Sequence, residues 1–183
     1  MTAISNVTVH IITGNRERAG TDERVWLGLG GQEFELDSVA NDFERGSDRT
    51  YILGHDANIR QARDNDPRHL TLEEIQAAPV YMRVGDPATP GQAEATQAGH
   101  GDVITRAANL ANSAGAALRA GIMHTATAAH SYWSSGNWNL QAVTVTVQPE
   151  SGAPLTFSAP QAEDGTWLGG HGEAKRLDLV ATA

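Results

Sequence analysis

Short stretches in which apolar and polar residues alternate recur in the first half of the chain and again near its end. Alternation with a period of two predicts β-strands, because successive side chains of a strand point to opposite faces. In the second stretch Val25, Leu27 and Leu29 share one face and Trp26 lies on the other. The predicted strands are 6–13, 24–29, 32–36, 49–53, 79–84, 140–148 and 155–158, with one or two closing strands at 167–168 and 176–180.

The middle of the chain has a different pattern. Residues 86–101 are rich in Pro, Gly and Ala and predict a linker. Asp102 is placed to cap an Ala-rich helix at about 103–130, in which apolar residues recur at helical spacing. This helical insertion, residues 87–136, has two interpretations: it packs on the rest of the fold, or it is an arm for self-association or for a partner protein.

A second, shorter helix is predicted where Thr71 precedes Glu74, since this spacing is typical of a capping box. Short strands on both sides of one helical block predict an all-β fold, an antiparallel two-sheet β-sandwich of about eight strands. The 183 residues fit a single domain with the helical segment inserted into it.

The charge of the chain limits its partners. The formal net charge is −9, and an acidic chain is repelled by phosphate backbones, so no nucleic-acid partner is expected. Binding to a membrane surface would need a cation to reverse the local potential. Cysteine is absent, which excludes disulfides and thiolate metal sites. The sequence shows no signal peptide and no spanning segment, so we expect a cytoplasmic protein, a peripheral membrane protein, or one exported without a cleaved signal.

Several motifs occur in the order found in one known family. Thr13-Gly14, then Ala19-Gly20-Thr21-Asp22, then Val25-Trp26-Leu27 resemble the signature of the PLAT domain, the polycystin, lipoxygenase and alpha-toxin domain. The segment 41–47 resembles that family's Phe-x-x-Gly-Ser segment, and its Asn-Asp pair is similar to the membrane-binding domain of alpha-toxin phospholipase C. Residues 5–86 match in order and 137–180 match more loosely, whereas 87–136 has no counterpart.

The resemblance implies a calcium site between two loops. Calcium takes six to eight oxygen ligands from carboxylates, amides and carbonyls. The metal residues implied are Gly20, Thr21, Asp22, Asn41 and Asp42, with Asp86 as a further candidate. Arg18 stands where some family members carry Asp, which argues against a second ion. Taken alone, the same acidic and amide residues are also typical of ordinary turns.

Four aromatic side chains are candidates for contact with a membrane or a partner, because Trp and Tyr combine an apolar ring with a polar group. They are Trp26, Tyr132, Trp133 and Trp138. The alternative is that Trp138 packs in the core and Trp133 closes the end of the helix.

No catalytic motif stands out. His124 and His130 are six residues apart, which is not the spacing that brings two His to one metal on a helix. The expected function is therefore that of a non-catalytic, calcium-binding module for a membrane lipid or a protein partner. The alternative is a calcium-independent structural or protein-interaction subunit, and a hydrolase that uses one of these His is less favoured.

Overall fold

A computed structural model describes residues 1–86, 136–159, 164–169 and 175–182. The chain divides into two compact units, Met1–Asp86 with Ser135–Ala183 and Pro87–Ser134. All described residues belong to the first unit. The predicted helix at 103–130, its proposed role in self-association, and the candidates Tyr132 and Trp133 lie outside the described residues.

Ten strands form the framework of the described structure, each formed where the sequence alternates or is rich in β-branched residues. They are β1 (Ile4–Thr13), β2 (Val25–Leu29), β3 (Gln32–Glu35), β4 (Asp48–Gly54), β5 (Tyr81–Val84), β6 (Trp138–Pro149), β7 (Leu155–Ser158), β8 (Thr166–Leu168), β9 (Arg176–Asp178) and β10 (Val180–Thr182). One α-helix, α1 (Leu72–Ala77), lies between β4 and β5, after a short 3-10 turn at Pro67–His69.

The strands form two antiparallel sheets, which confirms the predicted all-β sandwich. The large sheet has the order β10-β7-β6-β1-β4, with β8 also paired to β6, and the small sheet has the order β3-β2-β5-β9. In the large sheet Val7 lies opposite Val147 and Val9 opposite Val145, and all four are fully buried. The alternation of the sequence therefore places one apolar face of each central strand in the core.

The end of the chain differs from the prediction. A closing strand was expected over 176–180, but this segment contributes to two strands that belong to different sheets. Leu179 lies between them, is 7% exposed, and donates its backbone N–H to the carbonyl of Val80 at 2.8 Å. The chain crosses from the small sheet to the large sheet at this residue, so the described residues contain ten strands where about eight were expected.

Local capping follows the sequence closely. Thr71 accepts a hydrogen bond from the backbone N–H of Glu74, and the Glu74 carboxylate accepts one from the backbone N–H of Thr71. This capping box satisfies two donors at the start of α1, as predicted. No helix of the described residues is both long enough and apolar enough to span a bilayer.

Candidate functional site

An open cavity of about 500 Å³ lies where the β1–β2 loop meets the β3–β4 loop. The first loop contributes Thr21, Asp22 and Glu23, and the second contributes Asp37 and Ala40 through Phe43. The walls are completed by residues at the start of β2, at the end of β3 and in the segment after β4, namely Arg24, Val25, Glu35, Leu36, Arg60 and Gln61. Four of the six predicted metal residues therefore line one cavity: Thr21, Asp22, Asn41 and Asp42.

The two loops are joined through their backbones. The N–H of Thr21 donates to the carbonyl of Phe43 at 3.2 Å. Gly20 does not line the cavity but lies directly behind it. A β-carbon on Gly20 would lie 2.9 Å from the backbone nitrogen of Arg45 and 3.0 Å from the carbonyl oxygen of Phe43. Only glycine permits this approach of two backbones, so Gly20 positions Thr21 and Asp22 against the second loop.

Phe43 anchors the second loop in the core. Its ring stacks on Tyr51 with a centroid distance of 5.4 Å and meets Trp138 edge-on at 5.3 Å. The backbone of Phe43 has φ +59°, a left-handed conformation that is unfavourable for a bulky side chain. The aromatic contacts stabilise this conformation, which turns the neighbouring Asn41 and Asp42 toward the cavity.

The Asp42 carboxylate is held by three hydrogen bonds. It accepts from the Ser38 backbone N–H at 2.5 Å, from the Ser38 hydroxyl at 2.8 Å and from the Tyr51 hydroxyl at 3.1 Å. Burial raises the pKa of Tyr51 well above its usual range, and the nearby Asp42 charge raises it further. The phenol therefore stays protonated and acts as a donor. Asp42 thus fixes the shape of the loop in addition to facing the cavity.

Asp22 has different surroundings. Its carboxylate is exposed and makes no hydrogen bond or ion pair with any other described residue. The neighbouring Glu23 donates its backbone N–H to the Thr21 hydroxyl at 3.1 Å, which fixes the turn that presents Asp22. The Asn41 amide nitrogen donates to Glu44 at 2.7 Å, which leaves the amide oxygen of Asn41 free to accept or to bind a cation.

These groups suit a hard cation. Asp22 supplies a free carboxylate, Asn41 an amide oxygen, and Asp42 a carboxylate whose oxygens retain lone pairs beyond their hydrogen bonds. Oxygen ligands of this kind fit calcium, with water completing the shell. Among the described residues no group of three His, Asp or Glu side chains converges as a metal site. The oxygen donors of Asp22, Asn41 and Asp42 are compatible with calcium, but only two of these three residues carry a charge.

Three predicted residues lie elsewhere. Asp86 is exposed and does not line the cavity, and its carbonyl accepts a hydrogen bond from Arg83 at 2.7 Å. Trp138 is completely buried, and its indole N–H donates to the Thr13 hydroxyl at 3.0 Å. Trp26 is 8% exposed, donates to the carbonyl of Gly85 at 2.8 Å and lies under the Arg83 guanidinium. The expectation of surface contact is corrected for both Trp residues, because packing and an internal hydrogen bond already engage each ring.

Asn139 connects the loops beside the cavity and was not predicted as important. Its backbone N–H donates to Ala19 at 2.9 Å and its carbonyl accepts from Gly14 at 2.8 Å. Its buried amide nitrogen donates to the carbonyl of Asp164, whereas its amide oxygen has no partner. A β-carbon on Gly14 would lie 1.8 Å from that oxygen, so glycine is required there. The Trp-Asn pair that starts β6 gave only a weak signal of this role.

The cavity also contains two arginines, Arg24 and Arg60, that the sequence did not single out. They are 36 positions apart, and no motif connects them. The one signal in the sequence that could have drawn attention to these arginines is their positive charge beside predicted loops.

Comparison with known proteins gives structural neighbours only. No protein-family model matches the chain, and no curated protein matches it significantly. Among solved structures it is similar to alpha-toxin from Clostridium absonum, at 14% identity and a TM-score of 0.49, covering 98% of this chain and 32% of that one. It is also similar to Clostridium perfringens alpha-toxin from an avian strain, at 15% identity and a TM-score of 0.46, covering 97% and 32%.

A coral 8R-lipoxygenase, described as activated by calcium through a C2-like domain, is similar at 15% identity and a TM-score of 0.45, covering 96% of this chain and 17% of that one. This chain thus spans about a third of the toxins or less than a fifth of the lipoxygenase. At these identities any function of this chain has to be inferred from its own residues. The chain is an all-β, two-sheet sandwich whose ordered loop motifs resemble those of the PLAT family.

Proposed function

We propose that this chain is a non-catalytic binding module that docks on a membrane surface through its loop end, with calcium held in the cavity. The observation that carries the proposal is that Thr21, Asp22, Asn41 and Asp42, from loops about 20 positions apart, line one cavity. A hard cation requires several oxygen donors around one point, and these residues bring such donors to the same cavity.

Charge explains why an ion would matter. The cavity lining contains five acidic residues, Asp22, Glu23, Glu35, Asp37 and Asp42, and two arginines. In a chain of net charge −9, this end is repelled by anionic lipid headgroups. A bound divalent cation offsets that repulsion at the point of contact, which would make membrane docking depend on calcium.

The affinity should be low. Calcium sites are tuned by the number of charged ligands and by their rigidity, and sites with few carboxylates fall near 10⁻⁴ to 10⁻³ M, as an order-of-magnitude estimate. Of the two predicted carboxylate ligands that line the cavity, Asp22 and Asp42, only Asp22 makes no hydrogen bond or ion pair within the described part of the chain. We therefore expect the site to respond to calcium at concentrations of roughly this size.

Sedimentation with vesicles tests the proposal. Vesicles of equal parts phosphatidylcholine and phosphatidylglycerol should pellet the protein in calcium, and a chelator should release it. Vesicles of phosphatidylcholine alone should pellet less, because they lack the anionic headgroup. Pelleting that is the same with and without calcium, or no pelleting under any condition, would contradict membrane docking through an ion.

A calcium-independent protein-binding subunit is the second candidate, and the three hydrogen bonds at Asp42 favour it. In this case the acidic and amide residues would shape the loops and no ion would be needed. An unchanged melting temperature in calcium would support the second candidate and argue against the first.

A further inference from the structure

Two guanidinium groups line the same cavity as the oxygen donors. Arg24 directly precedes β2, and Arg60 lies in the segment after β4. The backbone N–H of Arg60 donates to the carbonyl of Asp37 at 2.7 Å, which ties this segment to the β3–β4 loop. Two separate parts of the chain therefore bring positive charge to a cavity whose remaining charges are negative.

Both arginines are held loosely. Arg24 Nε lies 3.5 Å from the Glu35 carboxylate, and Arg60 Nη1 lies 3.8 Å from the Asp37 carboxylate. Both distances exceed the usual length of a hydrogen bond between charged groups. The two side chains are 57% and 53% exposed. Exposed ion pairs of this kind contribute little to stability, so each guanidinium can turn its donors toward a ligand at low cost.

Arg83 provides a contrast, because its guanidinium is held tightly. Arg83 makes two short contacts with the Glu33 carboxylate, at 2.6 and 2.7 Å, and its side chain is only 11% exposed. An arginine with that geometry is one half of a structural ion pair. Arg24 and Arg60 lack such geometry, although carboxylates are close enough to provide it.

The chemistry of the cavity identifies the ligand class. A guanidinium presents a planar fork of donors that matches the oxygens of a phosphate. Oxygen donors for a cation lie in the same cavity, and phosphate oxygens are also good ligands for divalent cations. A phosphate ester can therefore contact a bound cation and the arginines together, whereas a neutral or cationic ligand would use only one of these features.

We propose that Arg24 and Arg60 form a subsite for the phosphate group of a phosphate ester, next to the cation donors of the same cavity. The proposal builds on the function proposed above and names the group that would be recognised. The five acidic residues exceed the two arginines in the lining, so phosphate is repelled until calcium is bound. Calcium should tighten phosphate binding, and phosphate should tighten calcium binding by the same factor.

The test measures the melting temperature with calcium, with glycerol 3-phosphate, and with both. Wild-type protein should shift with calcium and shift further when the phosphate ester is added. Arg24→Gln combined with Arg60→Gln should keep the calcium shift and weaken glycerol phosphate binding by about tenfold or more, since one hydrogen bond to a charged group is worth about that factor. The retained calcium shift also shows that the variant is folded.

Arg63→Gln is the matched control. Arg63 is exposed, lies close to Arg60 in sequence and does not line the cavity. A pair of Arg63→Gln and Arg49→Gln changes the net charge by the same amount as the double variant, and it should leave phosphate binding unchanged. If the double variant is unstable, Arg24→Lys with Arg60→Lys keeps the charge and removes the fork of donors, and it should still weaken phosphate binding.

The outcomes separate the two proposals. A calcium shift with no further effect of phosphate, or a phosphate effect that survives in the double variant, overturns the subsite and leaves the calcium site intact. A phosphate effect that depends on both arginines but appears without any calcium shift supports the subsite, and it overturns both the calcium site and the coupling of phosphate binding to calcium. No response to either ligand overturns both.

The source of the phosphate is decided by vesicles in calcium. Loss of pelleting in the double variant assigns the subsite to a lipid headgroup. Pelleting equal to wild type, together with weakened binding of glycerol phosphate, assigns it to a free phosphate ester.

Discussion

At the residue scale, Asp22 and Asp42 carry the same chemical group, a carboxylate, but lie in different surroundings. Asp22 is exposed and has no hydrogen-bond or ion-pair partner in the part of the chain that the structure describes, whereas Asp42 accepts three hydrogen bonds from Ser38 and Tyr51. Substitution of Asp22 and substitution of Asp42 should therefore have different effects. Substitution of Asp22 should change calcium binding, whereas substitution of Asp42 should change both calcium binding and the conformation of the β3–β4 loop.

Asp22→Asn should abolish the rise in melting temperature that calcium causes in the wild type. Calcium that binds only the folded state stabilises it by about 2.7 kcal/mol at a hundredfold excess over Kd. Magnesium should do much less, because it demands a tighter octahedral shell. Thermal melts with each ion give the measurement. Asp56→Asn is the control, since Asp56 is exposed, pairs with His55 and does not line the cavity. A calcium shift that survives Asp22→Asn would remove Asp22 from the site.

Asp42→Ala should lower the free energy of unfolding even without calcium, by about 1 to 3 kcal/mol, because a buried donor loses its acceptor. That donor is the hydroxyl of Tyr51, a residue that is 1% exposed. In a Tyr51→Phe background the same substitution should cost less, since the unsatisfied hydroxyl is gone. Denaturant titration of the four proteins measures this coupling. Equal losses in both backgrounds would show that the hydrogen bond does not support the loop.

At the element scale, the sheets have edges that attract other strands unless they are covered. Asn58 covers the outer edge of β4: its amide oxygen accepts from the Ile52 N–H at 2.7 Å and its nitrogen donates to the Thr50 carbonyl at 2.9 Å. Asn65 does the same for β3, where its amide oxygen accepts from the Glu35 N–H at 2.7 Å. One amide side chain takes the place of a neighbouring strand in each case.

Asn58→Ala should therefore expose the edge of β4. We expect a loss of about 1 kcal/mol in the free energy of unfolding for the broken hydrogen bonds, because water replaces part of them at this exposed position. We also expect association that grows with protein concentration, measured by analytical ultracentrifugation. Asn41→Ala is the control, because Asn41 is exposed and bonds only to the neighbouring Glu44. An unchanged sedimentation profile would show that Asn58 is not needed to protect this edge.

At the scale of the whole molecule, the described residues on either side of the segment 87–135 lie close together. A β-carbon on Gly85 would lie 3.6 Å from Glu23 Oε2, and one on Gly136 would lie 2.3 Å from Glu23 Oε1. One side chain thus reaches both positions. All ten strands and both sheets belong to the unit that these positions delimit.

Replacement of residues 88–134 by a short Gly-Ser linker should therefore leave a folded β-sandwich. The far-UV circular dichroism spectrum should retain its β signature, and the calcium response should persist because no cavity residue is removed. Loss of the β signature would show that the replaced segment is part of the core. A folded product that changes from an oligomer to a monomer would instead identify the segment as an assembly arm.

The sequence by itself determined those features that depend on neighbouring residues. The alternation in β1 and β6 predicted both strands and their buried faces, and Thr71 with Glu74 predicted the capping box of α1. The ordered motifs also brought Thr21, Asp22, Asn41 and Asp42 into one hypothesis. The strands and the capping box follow from local periodicity or spacing, which acts within a few residues along the chain. The grouping of the four loop residues rests on the resemblance to the PLAT motifs.

Only the tertiary structure decided which side chains meet and which are free. Phe43 is locked between Tyr51 and Trp138, and Asp42 is bound by Tyr51, because strands distant in sequence pack in the same core. Burial of Trp26 and Trp138 removed two predicted contact residues for the same reason. The position of Arg24 and Arg60 in one cavity and the crossing at Leu179 depend on how distant segments of the chain pair and pack. Such pairing leaves no periodic pattern in the sequence of either segment.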